Sequence, residues 1–247
     1  MTYNVGIAGG SGSGKGTIAE LIQAHLVLWG LKVHTLSTDD CYRDLSYLSQ
    51  EKRDVCCFDP DKNFDHPSML DFDRLTAYVE NLKSGRAFEI PRYDFKVHTY
   101  GSEKIDVPPR LDVAIVEGIY ALYSGPEVGR RILNQLDYSL FVATDPQIAQ
   151  NRRILRDVRE RGRALDHVIK QLNTTVIPMQ KKFVDPSALN ARDMVNWRAD
   201  ETNEPEVVKA ELVRIARQRA MFIYEQATGK SLLLELDPGE VEITGLG

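Results

Sequence analysis

Three cysteines, two tryptophans, no surplus of positive charge and no apolar run approaching the length of a membrane span set the first limits on this 247-residue chain. Cys41, Cys56 and Cys57 form an odd set without a C-x-x-C pair or partnering histidines, which argues against a disulfide scaffold or a zinc site and favours a reducing compartment, the cytoplasm. A formal net charge of -5 argues against a general nucleic-acid binder, whose affinity rests on excess Lys and Arg, so any phosphate site must be local. The first residues carry no charged n-region followed by an apolar core, and neither an export signal nor a membrane anchor is expected. Internal repeats, low-complexity tracts and long linkers are missing as well.

What remains is the composition of a packed globule, 43% hydrophobic and 27% charged, in a length suited to one large domain, 1–247. Short runs rich in Val, Ile and Leu alternate with amphipathic stretches. That pattern predicts an α/β fold, a parallel sheet with helices on both faces. Strands are expected over 3–8, 32–37, 112–116 and 138–143, and helices over 14–28, 71–83, 146–161, 165–183 and 206–226. The segment 86–107 breaks the alternation and reads as a β-hairpin flap, with strands over 88–95 and around Ile105 and a loop holding His98 and Gly101. Two further strand candidates are 192–197 and 231–236.

The first strand runs into Gly9-Gly10-Ser11-Gly12-Ser13-Gly14-Lys15-Gly16-Thr17, and a helix follows at once. This is the setting of a P-loop: glycines let successive N–H groups turn toward phosphates, the helix N-terminus adds partial positive charge, and Lys15 reaches the β and γ oxygens. Gly16 replaces the usual Ser or Thr whose hydroxyl binds magnesium, and the hydroxyl is displaced to Thr17.

Ligands of a parallel sheet bind beyond the carboxyl ends of its strands, so acids placed there are candidates for catalysis or metal binding. Asp39 and Asp40 follow the second strand, and Glu117 ends a later one. One such carboxylate can accept the proton of an attacking hydroxyl while another holds Mg2+; equally, Asp39 or Asp40 can cap a helix. Asn63-Phe64-Asp65-His66-Pro67 reads by itself as a turn, and Tyr93, Phe95 and His98 read by themselves as packed hairpin residues. Arg152, Arg156, Arg159 and Arg163 recur at helical steps, with Arg153 and Arg161 nearby. Alone they suit a solvated face with Asp157 and Glu160 as surface partners; behind a P-loop they suit a lid over phosphates, helices 150–184.

Taken together and in this order, the P-loop, Ser37-Thr38-Asp39-Asp40-Cys41-Tyr42, Asn63-Phe64-Asp65-His66-Pro67, Pro91-Arg92-Tyr93-Asp94-Phe95 with His98, Val116-Glu117-Gly118, and Arg152-Arg153-Ile154-Leu155-Arg156-Asp157 with Glu160-Arg161-Gly162-Arg163 resemble the uridine-cytidine kinases of the phosphoribulokinase and uridine kinase group. The resemblance runs from Val5 to about Gln171 and implies transfer of the γ-phosphoryl group of ATP, with Mg2+, to the 5′-hydroxyl of uridine or cytidine. It further implies that Asp39 is general base and magnesium neighbour, Glu117 the second metal carboxylate, and Asp65 the acceptor for the ribose 2′ and 3′ hydroxyls. Tyr42, Tyr93, Phe95 and His98 would enclose the pyrimidine, Arg153, Arg163 and Gln171 would face the substrate, and Arg156 and Arg161 the phosphates. Related kinases are often tetramers, so a homo-oligomer is implied. Past Gln171 the likeness is loose, with Asp200 a weak match to an adenine-side position, and Arg92, Lys96 and Tyr100 depart from the pattern. Three rivals stand beside this reading: a kinase of the same fold for another small metabolite, a nucleoside monophosphate kinase, suggested only by Gly16, and a nucleotide-binding regulator without catalysis.

Overall fold

The computed structural model describes residues 1–59, 63–125, 128–197 and 205–232. Its strands are β1 (Tyr3–Gly9), β2 (Val33–Ser37), β3 (Phe88–Asp94), β4 (Thr99–Val107), β5 (Val113–Glu117), β6 (Tyr138–Ala143) and β7 (Asp193–Asn196). Five of them form one parallel sheet in the order β2-β5-β1-β6-β7, and β3 pairs antiparallel with β4 as a separate hairpin. The helices are α1 (Lys15–Leu28), α2 (Gln50–Val55), α3 (Phe72–Ser84), α4 (Val128–Leu133), α5 (Pro146–Arg159), α6 (Leu165–Gln171), α7 (Ile177–Met179) and α8 (Pro205–Thr228). Among the described residues no helix is long and apolar enough to cross a membrane.

Strand alternation divides the interior into two cores. In β5, Val113 and Ile115 point to the face covered by α1 and α8, where they meet Ile18, Ile22, Leu26, Ile215 and Ile223. Ala114 and Val116 point to the other face, beneath Leu75, Val79 and Leu82 of α3 and Ile90, Tyr93 and Val107 of the hairpin. Each fully buried Ile or Leu contributes roughly 1.5–3 kcal/mol. The continuous apolar runs of β1, β5 and β6 follow from burial on both faces.

Local chemistry starts the helices where the sheet needs them. Asp71 accepts the backbone N–H of Arg74 to open α3, and Asp145 accepts those of Gln147 and Ile148, with Pro146 at the first position of α5. The expected helix over 165–183 is a corrected boundary: α6 ends at Gln171, and α7 is flanked by π turns at Leu172–Val176 and Gln180–Val184. Pro178 sits inside this stretch, and its missing N–H breaks the regular ladder. In the hairpin, Phe95 falls in the turn and Gly101 inside β4, the reverse of the expected placement; a register shift between Pro91 and Tyr93 moves the turn. The helices α2 and α4 are too short to leave a periodic signal. Residues 233–236 of the last strand candidate, and Asp200, lie outside the described residues.

The end of β5 and the turn after β2 approach so closely that a Cβ on Gly118 would overlap the Thr38 hydroxyl. Gly30, at a φ of 85°, has nothing within 4 Å of the same atom. Gly118→Ala is therefore expected to lower unfolding free energy by at least about 2 kcal/mol, and Gly30→Ala by only about 1 kcal/mol. Urea midpoints at equal slope check this, and equal shifts would show that the close approach carries no cost.

Candidate active site

Beyond the carboxyl ends of the strands lies a cleft lined by Ser11, Lys15, Asp39, Tyr42, Phe64, Asp65, Phe95, His98, Ile119, Arg153, Arg156, Arg161, Arg163 and Gln171. Three turns of chain supply its floor. The glycine loop joins β1 to α1; Gly12 and Gly14 adopt left-handed φ values of 81° and 86°, and side chains there would strike the Ala149 carbonyl and the Trp197 ring. Lys15 points across this floor toward Glu117, 3.8 Å from its Oε1. Burial raises the Glu117 carboxyl above its usual range, Lys15 opposes that shift, and Asp39 is close enough to add to it.

The turn after β2 carries Asp39 into the cleft and Asp40 away from it. Neither acid caps a helix; Ser37 does so, accepting the Asp39 N–H at 3.2 Å. Asp40 is buried and accepts the Tyr93 N–H at 3.2 Å, with Arg92 at 3.6 Å, while burial raises its carboxyl. Tyr100 donates its hydroxyl to the Tyr42 carbonyl at 2.6 Å. Arg92 and Tyr100, which depart from the family pattern, thus brace the hairpin against the Asp39 turn from behind the cleft wall. Lys96 lines a neighbouring pocket with His167 and Arg163.

The aromatic wall is built from three turns. Tyr42 packs edge-on to Phe64 and Phe95, and Tyr93 stands behind both Tyr42 and Phe95 rather than in the lining. His98 adopts a left-handed φ of 55° at the hairpin turn and stacks on Phe64, ring centroids 4.2 Å apart at 14°. Burial, with Arg163 adding to it, lowers the His98 pKa to about 4, so the ring is neutral at pH 7. Its Nδ1 is buried and has no hydrogen-bond partner among the described residues. Asp65 is equally exposed to demand: Arg153 lies 3.5 Å from Oδ1, while Oδ2 is buried and unpartnered among the described residues.

The arginines converge, but not as their helical spacing suggests. Asp157 has no exposed side-chain surface and meets Arg153 at 3.7 Å, Arg156 at 2.9 Å, Arg161 at 3.3 Å and Arg163 at 3.2 Å. The chain turns at Gly162 after α5, which brings Arg161 and Arg163 back over the cleft. Burial alone would raise the Asp157 carboxyl, and the guanidinium groups of Arg153, Arg156 and Arg161 outweigh it and hold it below the usual range. The solvated-face reading of this stretch is overturned by that burial, and only Arg159 fits it, being exposed. Arg163 also donates to Gln171 Oε1 at 3.4 Å, tying α6 to the cluster.

The residues fit a nucleoside triphosphate with magnesium. The loop offers N–H groups and Lys15, the four arginines leave positive charge beyond what Asp157 neutralises, and Asp39 and Glu117 supply the one or two carboxylates that Mg2+ uses beside phosphate oxygens. Gly16 offers no hydroxyl, and a Cβ there would meet nothing nearer than Glu117 Oε1 at 4.0 Å. Among the expected residues that do not line the cleft, Gly10 and Ser13 belong to the loop, Gly9 ends β1, Thr17 lies in the first turn of α1, and Glu117 stands behind Lys15. Phe64 and Ile119 were given no site role from the sequence; Phe64 lies within the motif that holds Asp65, and Ile119 directly follows Val116-Glu117-Gly118.

Removing the charge of Asp157 leaves four guanidinium groups facing one another. Asp157→Asn is expected to destabilise the fold by about 3–5 kcal/mol, by analogy with other broken buried pairs. Added inorganic triphosphate should restore part of the lost melting temperature. Loss of less than about 1 kcal/mol by chemical denaturation would show that the arginines are held by other means.

The model of the phosphoribulokinase / uridine kinase family matches residues 4–202. A uridine kinase of Brevibacillus brevis is 40% identical over 183 residues, 74% of this chain and 79% of that protein. A uridine kinase of Staphylococcus haemolyticus is 39% identical over 186 residues, 75% of this chain and 83% of that protein. Phosphoribulokinase from Rhodobacter spheroides shares the fold with a TM-score of 0.60 at 15% identity, over 82% of this chain and 73% of that one. That model spans well over half of the chain, and the chain belongs to the phosphoribulokinase / uridine kinase family of P-loop kinases.

Proposed function

We propose that this protein is a cytoplasmic kinase, one catalytic domain, that phosphorylates the 5′-hydroxyl of a pyrimidine ribonucleoside, uridine or cytidine, with ATP and Mg2+. The observation that carries the proposal is Asp65: a buried carboxylate with an unpartnered oxygen, in the same cleft as Lys15 and Asp39. A buried acceptor left empty costs about 1–3 kcal/mol or more. Vicinal ribose hydroxyls supply two donors at the spacing of its two oxygens, and a 2′-deoxynucleoside supplies one. The neutral His98, stacked on Phe64 with a bare ring nitrogen, suits the edge of an uncharged base. Tyr42 and Phe95 supply aromatic walls for that base. The uridine kinase relatives support the same acceptor.

When bound, ATP with its metal supplies the phosphoryl group and an electrophilic phosphorus. The chain's own residues do the rest. Asp65 fixes the ribose so that its primary alcohol faces Asp39, and the Asp39 carboxylate takes the alcohol's proton as the new bond forms. Lys15, Arg156 and Arg161 surround the position where phosphoryl charge spreads, in a cleft that Tyr42 and Phe95 also line. Arg153 holds Asp65 in place, and Arg163 with Gln171 borders the sugar and base.

Two variants test the assignments. Asp39→Asn is expected to lower kcat with uridine at least about 100-fold, the size of one general-base contribution, while leaving ATP affinity within about twofold; wild-type turnover would remove Asp39 from the role. Asp65→Ala is expected to raise the uridine KM by about 100-fold and to narrow the preference for uridine over deoxyuridine. An unchanged preference would refute the ribose assignment.

A further inference from the structure

The cleft has an annex that no step of the proposed transfer uses. A cavity of about 430 Å³ lies against it, bounded by Asp54 of α2, by Lys96 in the hairpin turn, and by Ala164 and His167 at the start of α6. Cleft and cavity share four side chains, Phe95, His98, Arg161 and Arg163. Ser11, Lys15, Asp39 and Asp65, which face phosphates and ribose in the proposed complex, line the cleft and not the cavity. The cavity therefore adjoins the base end of the cleft. At the junction Arg161 lies over the Phe95 ring, 5.1 Å from its centroid. The outer wall is tied in place: Arg53 of α2 donates to the Val97 carbonyl at 2.6 Å, and His167 meets Phe58 edge-on, ring centroids 4.9 Å apart.

The walls carry three cations, Lys96, Arg161 and Arg163, against one anion, Asp54. Asp54 is exposed and already accepts the Gln50 amide at 2.7 Å. Arg161 and Arg163 share Asp157 with two further arginines. The Lys96 ammonium makes no ion pair among the described residues, and Lys96 is one of the positions that depart from the family pattern. Two ring nitrogens add unused capacity: Nδ1 of His98 and Nδ1 of His167 are buried without a hydrogen-bond partner among the described residues. Leaving such a nitrogen unmet costs free energy. A cavity of ligand size with surplus cations and open donors suits a short anionic group.

The ring of a pyrimidine nucleoside presents C4 and C5 on the side away from the sugar. With the ribose on Asp65 and the base at His98, these atoms face the junction. C4 carries the oxygen or amine that a hydrogen-bonding wall reads, whereas C5 carries only hydrogen and can bear an arm at no cost to that edge. We propose that the cavity receives an acidic arm on C5 of the acceptor base, so that the substrate class includes uridines with a short carboxylate arm, and that Lys96 selects the charge. The inference rests on the acceptor reading proposed above. The transfer itself is unchanged: the 5′-oxygen bonds to the γ-phosphorus, the bond to ADP breaks, and the proton goes to Asp39.

Steady-state kinetics of the whole chain with MgATP test it, using uridine, 5-carboxymethyluridine and its uncharged isostere 5-carbamoylmethyluridine. Wild-type kcat/KM is expected to be about tenfold higher for the acid than for the amide. Lys96→Gln is expected to bring the two within about twofold of each other while leaving uridine within about twofold of wild type. Equal acid and amide in the wild type, a preference that survives in Lys96→Gln, or rejection of both arms while uridine is turned over each overturns the proposal. Turnover of none of the three would sink the acceptor reading itself, and this inference with it, so uridine alone tells the two failures apart.

Discussion

A single carboxylate without exposed surface, Asp157, holds four guanidinium groups in one place, and the cleft has its shape because of it. Four cations so near one another repel, and burial compounds the cost: burial first and Arg156 second push the Arg161 pKa below its ordinary value. One anion cannot balance four cations, so the cluster keeps positive charge directed at the floor where Lys15 stands. That surplus is the electrostatic complement of a polyphosphate, built into a chain whose overall charge is negative. Arg153 then reaches Asp65 and Arg163 reaches Gln171, so the same hub positions both of these cleft residues.

A second set of polar contacts, centred on the buried Asp40, joins the hairpin to the turn after β2. Asp40 binds the Tyr93 N–H and Arg92, and Tyr100 binds the Tyr42 carbonyl, so Tyr93, Phe95 and His98 cannot shift without disturbing the residue next to Asp39. A charge as buried as Asp40 is weak evidence for stability, because desolvation offsets most of its attraction. Its effect is to fix register, since among the described residues the hairpin shares no hydrogen-bonded ladder with the main sheet. The hairpin rings and Asp39 are thereby carried on one braced unit, while Thr144 and Trp197 are tied to the loop through the Ser13 carbonyl.

Much of this protein was legible in its residues taken in order. The apolar runs of β1, β5 and β6, the glycine loop with Lys15, and the acids at strand ends are local signals, set by burial on both sheet faces and by the backbone geometry of the loop. The motif order was enough to bring Asp39, Asp65, His98, Arg156 and Arg161 into one reading, and all of them line one cleft. Boundaries failed where a proline or a register shift intervened, at Pro178 and at Pro91–Tyr93, because periodicity does not register a broken hydrogen-bond ladder.

Tertiary structure alone decided which charges are buried and which rings meet. Asp157 sits among arginines at helical spacing, the same pattern as a solvated face, and only the turn at Gly162 and the packing of α6 enclose it. Trp197 donates to a carbonyl 184 positions earlier in the chain, and Phe64 stacks on a histidine from the hairpin. Such contacts join segments distant in sequence, so no local period encodes them. The sequence determined the elements and the chemistry available; the parallel order β2-β5-β1-β6-β7 decided that Asp39 and Glu117 lie on one side of the glycine loop and Thr144 and Trp197 on the other, because strand order is set by packing across the whole sheet.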